Sequence, residues 1–115
     1  MAAGIYNITV DQGSDYSTTL VVSGQTLDGY SARGQVRPSI GSETLSAEFS
    51  FTITGGTSTG GTILAELTNI ETKKMLPGTY VYDIEVFNTT TNKAVRLIQG
   101  TVTVVGGVTQ SWVFK

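Results

Sequence analysis

Apolar and polar residues alternate with a period of two along most of this chain, the spacing of side chains on the two faces of a pleated strand. The strongest instance follows Leu76-Pro77-Gly78, where proline fixes φ and glycine tolerates positive φ, so the pair makes a corner and a strand begins at Thr79. Tyr80, Tyr82, Ile84 and Val86 then share one face, and Val81, Asp83, Glu85 and Phe87 share the other. Similar alternation predicts strands over 5–10, 16–22, 30–37, 48–54, 62–67 and 94–105.

The joints between these runs follow from turn chemistry. Asp11-Gln12-Gly13-Ser14-Asp15 reads as a turn that folds strands 5–10 and 16–22 into a first hairpin. Leu27 is the one apolar anchor in the connection that follows. In 30–37, Tyr30, Ala32, Gly34 and Val36 face inward while Ser31, Arg33, Gln35 and Arg37 face outward, and Pro38 ends the strand because it has no ladder donor. Phe49, Phe51 and Ile53 are buried from 48–54, and residues 55–61 form a flexible glycine tip that returns into 62–67. The final strand is expected to kink near Gly100, with Leu97 and Ile98 straddling its two faces.

One stretch is helical in character. Thr68 or Asn69 serves as N-cap, Glu71 lies in the first turn, and Lys73 and Lys74 lie near the end, as the helix macrodipole favours. Seven strands and one short helix near residues 69–75 predict an all-β, immunoglobulin-like antiparallel β-sandwich over residues 1–107. Residues 108–115 follow as a C-terminal tail or edge strand. The helix leading into Pro77-Gly78-Thr79-Tyr80 looks like the tyrosine-corner region of that fold, in which the Tyr80 hydroxyl bonds back to backbone upstream; an ordinary core aromatic is the other reading of Tyr80.

Composition narrows the chemistry. The 115 residues suit one domain with its own core, and with neither cysteine nor histidine the chain lacks disulfides, thiolate nucleophiles, the commonest metal ligand and the usual neutral-pH base. A net charge of −2 and seven dispersed basic residues offer no footprint for nucleic acid. No run approaches the ~20 apolar residues that cross a bilayer, and the first residues lack the pattern of a secretory leader, so synthesis and folding in a cytosol are expected, with no membrane partner.

Candidate sites give way to simpler readings. Asp83 and Glu85, about 7 Å apart on one strand face, are assigned to cross-strand pairing with Arg33, Arg37 or Arg96 rather than to acid–base work. Asp11 to Asp15 lacks the spacing and closing glutamate of a calcium loop, and the glycine tip lacks the Lys-Ser or Lys-Thr of a phosphate cradle. No catalytic, metal or cofactor site is expected. Trp112 and Phe114, at i and i+2 beyond Gly106-Gly107, support two readings: an aromatic anchor for a partner, or an edge strand folded back on the core.

Several motifs recur in a recognisable order: Asp11-Gln12-Gly13 with Asp15-Tyr16; Gly29-Tyr30 with Ala32-Arg33; Gln35-Val36-Arg37-Pro38; Glu71-Thr72; Leu76-Pro77-Gly78-Thr79-Tyr80 with Tyr82-Asp83-Ile84-Glu85; then Arg96-Leu97, Gly100, Val102, Val104 and Val108-Thr109. Spanning residues 5 to 109, this set resembles small structural proteins of tailed bacteriophages, a group similar to the N-terminal domain of the phage baseplate upper protein. The resemblance implies a non-enzymatic virion building block, an adaptor or decoration subunit of baseplate, tail, neck or capsid. Its partners would be other virion proteins and copies of itself, as a homo-oligomer or in many copies. Relatives continue into fibre or carbohydrate-binding modules that this sequence does not include, so docking is expected rather than receptor binding. A carbohydrate- or cell-surface-binding sandwich is the alternative; it predicts an exposed aromatic platform, whereas docking predicts aromatics at an edge or terminus.

Overall fold

Strand β8, Gly78–Asn88, lies in the middle of the larger of two sheets and buries the row Tyr82, Ile84 and Val86. The computed structural model describes residues 4–107. Along the chain run β1 (Gly4–Ile5), β2 (Ile8–Asp11), β3 (Tyr16–Ser23), β4 (Ser31–Arg37), β5 (Ala47–Glu48), β6 (Ser50–Thr57), β7 (Gly60–Leu67), the helix α1 (Asn69–Thr72), β8, and β9 (Lys93–Val105). One sheet has the order β1-β9-β8-β4-β5, with β2 also on the outer side of β9; the other is β3-β7-β6. The fold is an all-β sandwich with one short helix.

Alternation explains the core. Tyr82, Ile84 and Val86 of β8, Val36 of β4, and Val102 and Val104 of β9 are each at most 5% exposed, and they meet Ile63, Ala65 and Leu67 of β7 from the facing sheet. Full burial of each such aliphatic side chain contributes about 1.5–3 kcal/mol. The ring of Phe49 packs 5.9 Å from that of Phe51 and 5.8 Å from that of Tyr82. Leu27 is buried, as expected of the anchor in its loop.

Where the structure differs from the period-based expectations, hydrogen bonding is the cause. The predicted first hairpin does not form: β2 pairs in parallel with β9, setting Ile8 beside Val102 and Val10 beside Val104, while β3 pairs with β7 in the other sheet. Residues 11–15 therefore bridge the two sheets, and they are fastened to α1. The Gly13 N–H donates to Thr72 Oγ1 (3.1 Å), whose hydroxyl donates to the Ser14 carbonyl (2.8 Å), and Gln12 Nε2 donates to the Met75 carbonyl (2.9 Å). Thr68 occupies the N-cap position without a side-chain cap bond; Asp15 Oδ1 accepts from the Asn69 N–H (2.7 Å) instead. Substituting Thr72→Val keeps the shape but leaves two partly buried backbone groups unpaired. We expect a loss of about 1–3 kcal/mol in denaturant melts, against almost none for Thr52→Val on the exposed face of β6.

Two further strands arise by interruption. Tyr6 and Asn7 separate β1 from β2, and the buried Phe49 separates β5 in one sheet from β6 in the other, so the chain changes layer at that residue. The glycine tip is more ordered than expected: Gly55 and Gly56 lie within β6 at an irregularity between Thr54 and Thr57, and Thr57 pairs with Gly60 across a two-residue turn. Leu97 and Ile98 do not straddle the faces of β9. The register shifts between the Ile84–Ile98 and Glu85–Arg96 pairs, a bulge at Leu97 that lets both side chains pack inward.

Candidate functional site

The outer face of the larger sheet collects most of the charged side chains that the alternation sends outward from β4, β8 and β9. Arg33 pairs with Glu85, and its guanidinium carbon lies 4.4 Å from the centroid of the Phe87 ring. Arg96 Nε lies 3.3 Å from Asp83 Oδ2, and Arg96 Nη1 donates to Gln99 Oε1 (3.2 Å). Arg37 departs from the expected pairing with an acid: it donates to Gln35 Oε1 (2.6 Å) and to the Ser42 carbonyl (3.1 Å). The register explains this, because Arg37 faces Val81 across the ladder, whereas Arg33 faces Glu85. Asp83 is thus a paired surface acid. Exposed pairs of this kind contribute roughly 0–1 kcal/mol each, so the face is solvated and self-neutralised.

An open groove of about 540 Å³ runs along this face, lined by Arg37, Asp83, Arg96 and Gln99 together with Ile5 and Ile40. Those isoleucines are 76% and 93% exposed. Ile5 lies within the predicted strand 5–10, whereas Ile40, an isolated apolar residue in a loop, has no period to betray it. A second groove, of about 530 Å³, opens on the flank where β3 leaves the sandwich uncovered; Tyr6, Leu20, Val22, Leu97 and Ile98 line it.

Tyr80 takes up the expected corner geometry, with its hydroxyl donating to the Leu76 carbonyl (2.7 Å). Its strand neighbour Tyr82 is 5% exposed and donates to the Tyr6 carbonyl. Burial, then the nearby Tyr16 and Tyr6, pushes the Tyr82 hydroxyl up to about 12 from an ordinary 10.0. A phenol whose folded value is raised stabilises the fold fully below pH 10 and loses that contribution as pH rises towards 12. The wild type should therefore lose about 2 kcal/mol more than Tyr82→Phe between pH 10 and 12 in denaturant melts, while the variant is less stable by about 1 kcal/mol at pH 7 for want of the bond to Tyr6. Glu71 is shifted the other way: Lys74 Nζ donates to Oε2 (2.9 Å), and this outweighs burial to hold the carboxyl below its usual value.

Among the described residues, no group of three or more His, Cys, Asp or Glu side chains could hold a metal ion. Every buried side-chain nitrogen and oxygen among them has a hydrogen-bond partner. Trp112 and Phe114 lie outside the described residues.

No protein-family model and no curated protein matches the sequence. Similar solved structures include the crystal structure of Listeria monocytogenes InlP, 18% identical with a TM-score of 0.48 over 87% of this chain and 26% of that one. A family 123 glycoside hydrolase from Clostridium perfringens, solved in a study of glycolipid glycan hydrolysis, is 11% identical with a TM-score of 0.54 over 91% of this chain and 23% of that one. This chain therefore spans about a quarter of the length of either protein. The likeness to the hydrolase is one of fold alone.

Proposed function

We propose that this chain is a non-enzymatic structural subunit of a tailed-phage particle, an adaptor or decoration protein that acts by protein–protein contact in several copies. The observation that carries the proposal is the distribution of exposed apolar side chains. Ile5, Val21, Ile40 and Leu76 are each at least 73% exposed and lie on strand edges or loops, around polar faces whose charges are already paired. Contacts of that type, small and repeated, suit assembly by symmetric packing. The order of motifs from Asp11 to Thr109 supports placing such a subunit in a virion, after synthesis in the host cytoplasm.

The carbohydrate-binding reading is less well supported. Tyr6 is the one aromatic among the exposed large apolar residues that are described, and Phe87 is covered by Arg33, so the described faces offer no aromatic platform. Light scattering across a concentration series discriminates the readings: a multi-copy mass that Ile40→Asp reduces is expected. A monomer at every concentration that is retained on immobilised polysaccharide would move the chain to the carbohydrate class.

A further inference from the structure

We infer that the groove on the outer face of the larger sheet is closed by the same groove of a second copy, about a two-fold axis parallel to the strands. The inference rests on the multi-copy assembly proposed above and names its contact. Two rows of side chains that cross the sheet form the floor of the groove. In one row pairing sets Gln35 beside Asp83, Asp83 beside Gln99 and Gln99 beside Ile5; in the next it sets Arg37 beside Val81 and Val81 beside Thr101. With strands about 4.8 Å apart, β4 lies about 14 Å from β1. Ile5 therefore stands on one bank, and Ile40, in the loop that leaves β4, stands on the other.

A turn fixed at several points presents Ile40. The Ser42 N–H donates to the Ser39 carbonyl (3.1 Å), and Gly41 has φ 83°, the positive value that the third position of a type II turn requires. Arg37 Nη1 pins the turn through the Ser42 carbonyl (3.1 Å), and the Ser46 N–H donates to the Val36 carbonyl (2.8 Å) as the chain returns to the sheet. A loop already held in this way loses little further freedom when a surface covers its exposed isoleucine.

Charge selects the occupant and its orientation. On this face β4 carries Arg33 and Arg37, β8 carries Asp83 and Glu85, and β9 carries Arg96, so that charge changes sign from strand to strand. A two-fold axis across the strands would lay each stripe on its own copy, cation on cation and acid on acid. An axis parallel to the strands, between β8 and β9, lays β8 on β9 of the second copy and β4 on its β1. The Asp83–Arg96 pair of one copy then meets that of the other head to tail, four charges in alternation, and Arg37 faces the uncharged residues 4–7. Ile40 comes over the Ile5 bank, and symmetry makes that contact twice. This axis also keeps the strands of the two faces aligned, the common way in which sheets pack.

The chain has no cysteine, so single cysteines read the contact without background. Ile5→Cys and Ile40→Cys change exposed side chains and should leave the far-ultraviolet dichroism as it is. Oxidised separately with copper phenanthroline, each variant should stay uncrosslinked, because the axis sets residue 5 against residue 40 and never against itself. Mixed in equal amounts, the two should give a disulfide-linked heterodimer as the main product. In light scattering, Asp83→Arg and Arg96→Asp should each raise the concentration needed for assembly by about tenfold or more, and mixing the two variants should restore it. A mixture that crosslinks no more than its separate components, or charge reversals that have no effect or that mixing fails to repair, would each overturn the two-fold contact; a wild type still in several copies would leave the assembly reading standing. A wild type that is monomeric at every concentration would overturn both.

Discussion

Replacing Ile84 by alanine should lower the free energy of unfolding by about 2–5 kcal/mol, a large effect for a single truncation. Ile84 is 1% exposed at the centre of β8, between Gly34 of β4 and Ile98 of β9, and its Cγ1 lies against the open backbone of Gly34. The backbone of β8 cannot move in to refill the space opened, because it is held on both sides by ladders of hydrogen bonds. Domains of this size are stable by about 5–15 kcal/mol, so the truncation removes a large share of the total. Guanidinium melts with an unchanged slope and a lower midpoint would establish it. A change below about 1 kcal/mol would mean that the two layers are not closed over β8.

Gly100→Ala should cost about 1–3 kcal/mol, although alanine is the smallest possible change, and the damage should be confined to one edge. A Cβ at residue 100 would stand 2.4 Å from the Tyr6 carbonyl oxygen and 2.8 Å from Asn7 Oδ1. That oxygen of Asn7 accepts the Thr101 N–H (3.0 Å), and the Tyr6 N–H donates to the Gln99 carbonyl (2.9 Å). Both bonds hold the break between β1 and β2 against β9. Hydrogen exchange should therefore quicken at Tyr6 and Thr101 in the variant while β7 and β8 keep their protection. Uniform acceleration across both sheets would instead place Gly100 in the global core.

These two residues illustrate what the sequence makes legible and what it hides. Ile84 is evident from its row: Tyr80, Tyr82, Ile84 and Val86 alternate with polar or half-exposed neighbours, and the observed β8 begins and ends within one residue of the expected strand. The approximate positions of β3, β4, β7 and β8, the Leu27 anchor and the Tyr80 corner follow from local pattern; the breaks at Tyr6-Asn7 and Phe49 and the bulge at Leu97 do not. Pairing partners do not. A period of two states which face is buried, not which strand lies alongside, so local turn chemistry predicts a hairpin of 5–10 with 16–22, whereas the bonds of 5–10 run to β9, over 90 residues away.

Polar contacts escaped for a related reason. Thr72, Asp15 and Gln12 each bond to residues more than 50 positions distant, and nothing in their own neighbourhoods distinguishes them from ordinary turn residues. The same limit affected the charged face. Asp83 and Arg37 both point outward as expected, but register sets Arg37 opposite Val81, while Arg96, opposite Glu85, reaches diagonally to Asp83. The exposed Ile40 carries no pattern at all, yet with Ile5 it supplies much of the surface on which the proposed docking depends.

The most direct test of a role as particle subunit is a reconstruction of the phage particle produced by the host that makes this chain. Density fitting the two sheets, repeated in symmetry-related copies and touching neighbours through Ile5 or Ile40, is the expected result. A purified particle in which the chain is absent both from the map and from mass spectrometry of its proteins would contradict it.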